Sequence, residues 1–171
     1  MATQQGKIVP MTNKEFFIQR WEQEYPIFLR VFKTLPPDQL DYRPHSRSRS
    51  AAELVWTLAY SEKVCSVLID TGTIDWKETP PPASLNEMIA AYEKNHAALA
   101  ERLKRLNDSD WERQARFIEE GHLVMEGPQR DIFWILLFDA VHHRGQLSTY
   151  IRPMGGKVPS IYGPSADTSG V

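Results

Sequence analysis

The chain has little cysteine: Cys65 stands alone among 171 residues. A single thiol cannot form a disulfide within the chain, and it excludes a zinc cage built from several cysteines of one chain. A lone thiol also fits a reducing compartment. We therefore expect neither an internal disulfide nor a cysteine-based zinc site.

Long hydrophobic runs are also absent. The longest, IFWILLF at residues 132–138, is far shorter than the ~20 apolar residues that span a bilayer. The first residues, MATQQGKIVPMTNKEF, contain no apolar core followed by a cleavage site of the kind that marks a signal peptide. The sequence therefore predicts a soluble, cytoplasmic protein that has no membrane as a partner.

Neither sign of charge dominates. Twenty lysines and arginines stand against twenty-two aspartates and glutamates, which leaves a formal charge of −2. Such a balance, without a block of like charge, gives no strong field to attract nucleic acid or anionic lipid. We interpret the one short basic stretch, RPHSRSRS at residues 43–50, as a solvated loop before a helix. No nucleic-acid partner is expected.

Apolar residues recur at helical spacing in four segments, and each segment follows a helix start signal. The first opens at TNKE, the second and third open at Ser50 and Ser84 with a glutamate three residues on, and the last follows Pro128 and runs to about Arg152. Four amphipathic helices with modest connections predict an all-α, up-and-down four-helix bundle.

The length of the chain indicates one domain. Residues 1–11 carry little pattern and are expected to form a flexible N-terminal tail. Residues 12–171 form the domain, in which residues 154–171 are a C-terminal tail packed on the bundle. Between helices three and four lies a longer, irregular crossover, WERQARFIEEGHLVMEG at residues 111–127. Its alternation around ARFI and HLVM indicates either a short hairpin or a packed loop.

An aspartate and a histidine stand four residues apart on the apolar face of the last helix. Asp139 and His143 follow the same three- and four-residue steps that connect Ile132, Leu136, Leu147 and Tyr150. We expect this face to point into the bundle, where an ionised carboxylate needs a partner. Three interpretations stay open: the two side chains pair only with each other, they bind a divalent metal, or they form an acid–base dyad without metal.

The neighbours of this pair add detail. His142 is turned about a hundred degrees away around the helix and is not expected to be a ligand. Gln146 lies three residues beyond His143 and can support its ring by a hydrogen bond. Gly145 costs roughly 1 kcal/mol in mid-helix, which suggests the close approach of a neighbouring helix or of a second subunit.

Two segments of the sequence resemble a known family. HHRGQLSTYIRPMGGKVPSIYGPSAD, with its phrases HRGQL, YIRPMGGKVP and IYGPS, and the earlier LDYRPHSRSRSAAELVWTLAYSE resemble the DinB-like (DinB/YfiT) proteins, damage-inducible four-helix bundles. Together the segments cover about a third of the chain. The resemblance implies the DinB-like fold and a homodimer. The first helix carries more aromatic residues than one apolar stripe needs, which fits either an interface or a thick core.

The resemblance also implies a metal site. Known members commonly bind a divalent metal through one side chain of the second helix and two side chains four residues apart on the last helix. By this resemblance His143 is the final ligand, Asp139 is the ligand one turn earlier, and the metal is zinc or nickel. Thr57 occupies the helix-two position, where the family has histidine, and a neutral hydroxyl is a poor ligand. Conceivable replacements, none with a spacing that favours it over a surface residue, are Glu62, His96 and His122.

Some relatives are transferases that use low-molecular-weight thiols, and others are isomerases or have no assigned reaction. The resemblance therefore implies a metal-dependent, thiol-using transferase or hydrolase built on Asp139 and His143. The alternative is a non-catalytic DinB-like binding or structural bundle whose metal site is degenerate because of Thr57.

Overall fold

Three of the long helices begin at capping boxes. In the computed structural model, which describes residues 10–168, the hydroxyls of Thr12, Ser50 and Ser84 each accept a hydrogen bond from the backbone N–H of a glutamate three residues on. The helices are α1 (Asn13–Phe32), α2 (Ala51–Thr71), α3 (Leu85–Arg105), the short α4 (Asp108–Glu112) and α5 (Gln129–Ile151). Across the described residues, no helix has both the length and the apolar character to cross a membrane.

The all-α prediction holds only in part: the fold is mainly helical, but three short strands also form. β1 (Thr73–Trp76) follows α2 directly, while β2 (Gln114–Glu119) and β3 (His122–Pro128) form a hairpin within the crossover that was predicted to be irregular. β1 pairs in parallel with β2, and β2 pairs antiparallel with β3. Four residues give β1 too short an alternation to signal a strand, and its partner lies beyond α3. For residues 111–127 the hairpin alternative is the one that forms.

Arg113 ties the sheet to the helices. Its Nη2 donates to the carbonyl oxygens of Leu68 and Ile69 near the end of α2, at 2.8 and 2.6 Å. Its Nε donates to Oε1 of Gln129, the first residue of α5, at 3.0 Å. The carbonyls at a helix C-terminus lack intrahelical partners and carry partial negative charge, so a guanidinium is favourable there. The start of β2 is therefore fixed against both α2 and α5.

The hydrophobic core consists of two clusters. One includes the inner residues of the sheet, such as Ile74, together with Phe17 and Phe133, and the other includes Phe32 and Leu147. The ring of His96 stacks between Trp21 of the first cluster and Tyr25, which packs against the second, with ring centroids 3.9 and 3.8 Å apart. A buried polar layer therefore separates the two clusters.

The chain after α5 folds back onto the helices. Met154 is buried, and Val158 and Ile161 pack against the second core cluster. Arg30 donates from Nη1 to the carbonyl oxygen of Ser160 at 2.9 Å. The outer ends of the two predicted tails, residues 1–9 and 169–171, lie outside the described residues.

Glycine is required where this segment crosses the end of α1. A Cβ on Gly156 would lie 2.9 Å from the carbonyl oxygen of Thr34 and 2.9 Å from Cγ2 of Ile151. The backbone oxygen cannot move away without disturbing the turn after α1, so only hydrogen fits at this position. This crossing accounts for the second glycine of the PMGGKVP phrase.

Arg144, one residue after His143 on α5, is a buried cation that holds the C-terminal segment. Its guanidinium donates to the carboxylate of Glu24 on α1 and to the hydroxyl of Tyr162. It also lies over the ring of Phe28, 4.6 Å from the centroid, and faces the ring of Tyr162. A buried charge with an ionic partner and aromatic faces is compensated for its lost hydration. Arg144 therefore has a structural role and does not line the pocket described next.

Candidate functional site

A pocket of about 260 Å³ opens between α2, α5 and the first two strands. Its apolar walls come from both the sheet and α5, namely Trp76, Phe117, Ile135 and Leu136. Its polar lining comes from the loop before α2, from α2 itself, from β2 and from α5, namely Arg49, Thr57, Glu119, Asp139 and His143. A small concave site with apolar walls and a few converging polar groups is the usual form of a ligand site.

Asp139 and His143, the two residues predicted as ligands, lie together in this pocket. Oδ2 of Asp139 is 3.2 Å from Nε2 of His143 across one turn of α5. The hydrogen bond to Asp139 raises the pKa of His143, although partial burial opposes the shift. The same hydrogen bond lowers the pKa of Asp139. Each charge therefore stabilises the other, and the ring tends toward the imidazolium form.

The expectation that this face of α5 points into the protein interior is wrong at its centre. Leu136 and Leu147 are buried, but the side chain of Asp139 is 49% exposed and that of His143 is 18% exposed. The pocket interrupts the apolar stripe at this level, since Asp139 and His143 line it. The aspartate therefore keeps access to water, and the cost of burying it is small.

Gln146 holds the far side of the His143 ring, as its spacing suggested. Its Oε1 lies 2.9 Å from Nδ1 of His143, and its Nε2 lies 3.1 Å from Nε2 of His142. With Nδ1–H donating to Gln146, the Nε2 of His143 is the nitrogen that faces Asp139 and the pocket. His142 itself is exposed and is not among the pocket-lining residues.

Thr57 is buried and belongs to a hydrogen-bonded group that sequence reasoning missed. Its Oγ1 lies 2.7 Å from Oε1 of Glu78, which follows β1, and 2.9 Å from the carbonyl oxygen of Glu53. Arg49 donates from Nη1 to the same Oγ1 and to Oε2 of Glu78, the latter at 3.0 Å. At the position where the resemblance led us to expect a histidine, this chain therefore has a hydroxyl that anchors a guanidinium.

Arg49 lies in the stretch that was interpreted as a solvated loop, yet its position is fixed from two sides. Its carbonyl oxygen accepts a hydrogen bond of 3.1 Å from the hydroxyl of Tyr150 on α5. Its side chain is 46% exposed and pairs with Glu78. No sequence signal marks this pairing, since Glu78 lies twenty-nine residues farther along the chain.

The three conceivable replacement ligands lie elsewhere. Glu62 and His96 are buried in the core, 8% and 5% exposed. Their ionisable atoms meet each other, with Nδ1 of His96 at 3.6 Å from Oε1 of Glu62, and neither residue lines the pocket. His122 is exposed at the start of β3. Within residues 10–168, no three histidine, cysteine, aspartate or glutamate side chains are grouped closely enough to hold a metal ion.

The pair on α5 nevertheless suits two ligands of one ion. Zinc binds nitrogen and oxygen at about 2.0–2.2 Å, which puts two such ligands about 3.0–3.5 Å apart. The observed separation of 3.2 Å falls in this range. The contact from Gln146 fixes the ring orientation that such a ligand needs. The pocket therefore offers two ligands with one supporting hydrogen bond, and a third protein ligand is missing among the described residues.

The sequence was compared with protein families and with known proteins. The model of the DinB family matches residues 11–169. The chain is 24% identical over 155 residues to the uncharacterised protein YrdA of Bacillus subtilis (strain 168), a match that covers 90% of each chain.

Solved structures share the fold. A DinB-like protein from Bacillus cereus ATCC 10987 matches with a TM-score of 0.73 at 22% identity, over 86% of this chain and 97% of that one. A mycothiol-dependent maleylpyruvate isomerase matches with a TM-score of 0.50 at 14% identity, over 90% of this chain and 66% of that one. At these identities the likeness concerns the fold alone.

Proposed function

Because the chain belongs to the DinB family, we propose that its function resides in the pocket between α2, α5 and the sheet, where Asp139 and His143 bind a divalent metal ion such as zinc or nickel. The resemblance that the HRGQL and YIRPMGGKVP phrases indicated is confirmed by the family match over residues 11–169. The metal, the reaction and the substrate belong to the proposal.

The observation that supports the metal site is the geometry of the pair on α5. Nε2 of His143 and Oδ2 of Asp139 face each other at 3.2 Å, and Nδ1 of His143 is held by Gln146 at 2.9 Å. When His143 is protonated, its Nε2–H points at Asp139, and a divalent ion must displace that proton to bind both atoms. Binding therefore weakens as the pH falls, and the raised pKa of His143 makes this competition stronger near neutral pH.

A bound ion would act as a Lewis acid or lower the pKa of a coordinated thiol or water. Two protein ligands leave several coordination positions open for such a molecule. The structural neighbour named as mycothiol-dependent favours a low-molecular-weight thiol as the second component. We therefore propose a metal-dependent, thiol-using transferase or hydrolase as the reaction class.

A second candidate is a binding protein without metal. It is favoured by the Arg49–Thr57–Glu78 group. This group includes Thr57, at the position expected for the third ligand, and it brings the positive charge of Arg49 next to the site. A cation there repels an incoming metal ion, and the site lacks the ligand that would offset this cost.

Metal analysis separates the two candidates. The purified protein is treated with a weak chelator, incubated with zinc or with nickel, desalted and analysed for bound metal, together with the variants His143→Ala and His142→Ala. We expect about one equivalent in the wild type and in His142→Ala, the matched control, and none in His143→Ala. No bound metal in the wild type at micromolar free zinc or nickel would refute the metal site and leave the binding protein.

A further inference from the structure

The guanidinium of Arg49 is engaged along one side only. Nη1 makes both of its side-chain hydrogen bonds, to Thr57 and to Glu78. Within residues 10–168, Nε and Nη2 donate to no protein acceptor. An N–H bond of Nε and one of Nη2 lie parallel to each other in the guanidinium plane, along the same edge, and form the fork that matches the two oxygens of a carboxylate.

This open fork belongs to the pocket. Arg49 lines the pocket that contains Asp139 and His143, and it also lines the adjoining surface recess formed with Glu53, Glu78 and residues 79–81. The guanidinium therefore borders the same space as the pair on α5.

We propose that the ligand of this pocket is a small carboxylic acid, whose carboxylate is bound by Nε and Nη2 of Arg49 while its apolar part lies against the walls formed by Trp76, Phe117, Ile135 and Leu136. This inference rests on the proposed function in that it names the ligand class for the same pocket. Thr57 and Glu78 are positioning residues that act through Arg49. A pocket of about 260 Å³ limits the apolar part to roughly the size of one ring or a short branched chain.

The charges around the pocket permit an anion at this place. Asp139 is compensated by His143, and Glu78 takes up only one nitrogen of Arg49. Glu119 is exposed at the rim, where water screens it. The two parallel hydrogen bonds to the guanidinium therefore stabilise a bound carboxylate by more than its repulsion from the exposed Glu119 destabilises it.

The same arrangement explains the residue at position 57. A threonine hydroxyl can accept a hydrogen bond from Nη1 of Arg49 while it donates one to Glu78. The departure from the family at Thr57 therefore replaces a metal ligand with an anchor for a ligand-binding arginine.

The test compares acids with their neutral amides. Phenylacetate, benzoate and isovalerate, each paired with its primary amide, are titrated into isotopically labelled protein in metal-free buffer that contains no acetate, citrate or chelator. Binding is followed by NMR shifts of backbone amides in β1, β2 and α5. The variants are Arg49→Met, Arg49→Lys and, as the matched control from the same loop, Arg47→Met.

We expect at least one acid to bind about tenfold or more tightly than its amide. Arg49→Met should abolish that preference, Arg49→Lys should retain part of it because the charge remains without the fork, and Arg47→Met should leave it unchanged. Equal binding of acids and amides, no binding of any acid, or an unchanged preference in the folded Arg49→Met and Arg49→Lys proteins overturns the proposal.

The wild type is titrated separately with zinc in the same buffer. Acid binding without zinc binding contradicts the metal site and supports this inference. Zinc binding without any preference for acids over amides supports the metal site and contradicts this inference. The two proposals therefore fail independently.

Discussion

Trp21 on α1 donates its indole N–H to Oε1 of Glu62 on α2 at 2.9 Å, in the buried layer between the two core clusters. The same carboxylate stands near the stacked ring of His96. Burial raises the pKa of the Cys65 thiol, and the nearby Glu62 charge adds to this effect. The only cysteine of the chain is therefore held as a neutral thiol, which leaves it poorly suited to act as a nucleophile.

Removing the indole donor should destabilise the fold. In Trp21→Phe, Oε1 of Glu62 stays buried without that hydrogen bond, which costs about 1–3 kcal/mol beyond the change in packing. Trp134→Phe is the control, because the Trp134 N–H bonds Asn13 at 3.2 Å near the surface, where water can replace it. Urea unfolding followed by circular dichroism measures both. Equal losses of stability would show that the Trp21–Glu62 contact contributes little.

The Asp139–His143 pair should make stability depend on pH over a defined window. The pKa of His143 is raised by its bond to Asp139, so its contribution is complete below the unfolded value of about 6.5 and is lost as the pH rises through the folded pKa. The pKa of Asp139 is lowered, so its contribution is present above the unfolded value of about 3.9 and is lost as the pH falls through the folded pKa.

His143→Gln should flatten this profile on both sides. Inside the window the free energy of unfolding should fall by only about 0.5–1 kcal/mol, because Asp139 is half exposed and water screens the pair. His142→Gln, one residue earlier on the exposed side of α5, should leave the profile unchanged. Free energies of unfolding are measured in urea at pH steps from acid to alkaline. A profile that His143→Gln leaves as steep as the wild type would contradict the pair's role.

Placing a histidine at position 57 of α2 should strengthen metal binding. Thr57→His adds a third nitrogen ligand opposite the pair on α5 and removes the anchor of Arg49, so zinc affinity should rise by about tenfold or more. Thr57→Leu removes the same hydroxyl without adding a ligand and is the control. Competition with a coloured chelator gives the affinities. If Thr57→His and Thr57→Leu bind zinc equally, position 57 does not face the ion.

The crossing at Gly156 should not tolerate a side chain. In Gly156→Ala the Cβ meets the Thr34 carbonyl oxygen at 2.9 Å, and the resulting shift should cost about 1–3 kcal/mol. Gly163→Ala lies in the same C-terminal segment with nothing within 4 Å of its Cβ, and should change stability little. Thermal unfolding of both variants tests this. Equal melting temperatures would place the C-terminal segment away from α1.

The homodimer that the resemblance implies is a further proposal, and it gives a prediction for the outer face of α5. Phe138, His142 and Gly145 follow three- and four-residue steps and are all exposed, and apart from the backbone of α5 itself no part of the described chain comes within 4 Å of a Cβ on Gly145. Of the two neighbours that this glycine suggested, an adjacent helix of the same chain is therefore excluded, and a second subunit is left as the proposal.

Phe138→Glu, at a position that is 63% exposed, should shift a dimer toward monomer in light scattering, while Leu123→Glu, 57% exposed on β3, should not. A wild-type monomer at high micromolar concentration would refute the dimer. A dimer that persists in Phe138→Glu would place the interface on another face.

Local signals in the sequence predicted much of the helical framework. The capping boxes at Ser50 and Ser84 and the start after Pro128 place three helix ends within a residue, because caps depend on neighbours three residues away. The approach of Asp139 to His143 also follows from spacing on one helix. β1 escaped prediction because its pairing with β2 spans all of α3 and α4.

The polar groups that were missed depend on contacts between distant segments. Glu78 meets Thr57 only because β1 turns the chain back toward α2. Glu62 and His96 did carry a signal: Glu62 continues the apolar steps of Leu54 and Leu58, and His96 continues that of Tyr92. This periodicity predicts that both side chains are buried. It does not predict which aromatic residues of α1 they contact.

The parallel pairing of β1 with β2 also sets the order in which the molecule can be completed. The pocket wall joins Trp76 to Phe117, which lie on either side of the whole α3–α4 segment, and closing so long a loop is slower than forming neighbouring helices. During synthesis, α1, α2 and α3 can emerge and associate before β2 exists. The cavity therefore cannot form until β2 and α5 have joined α2, and a nascent chain that lacks them has helices but no place for a ligand.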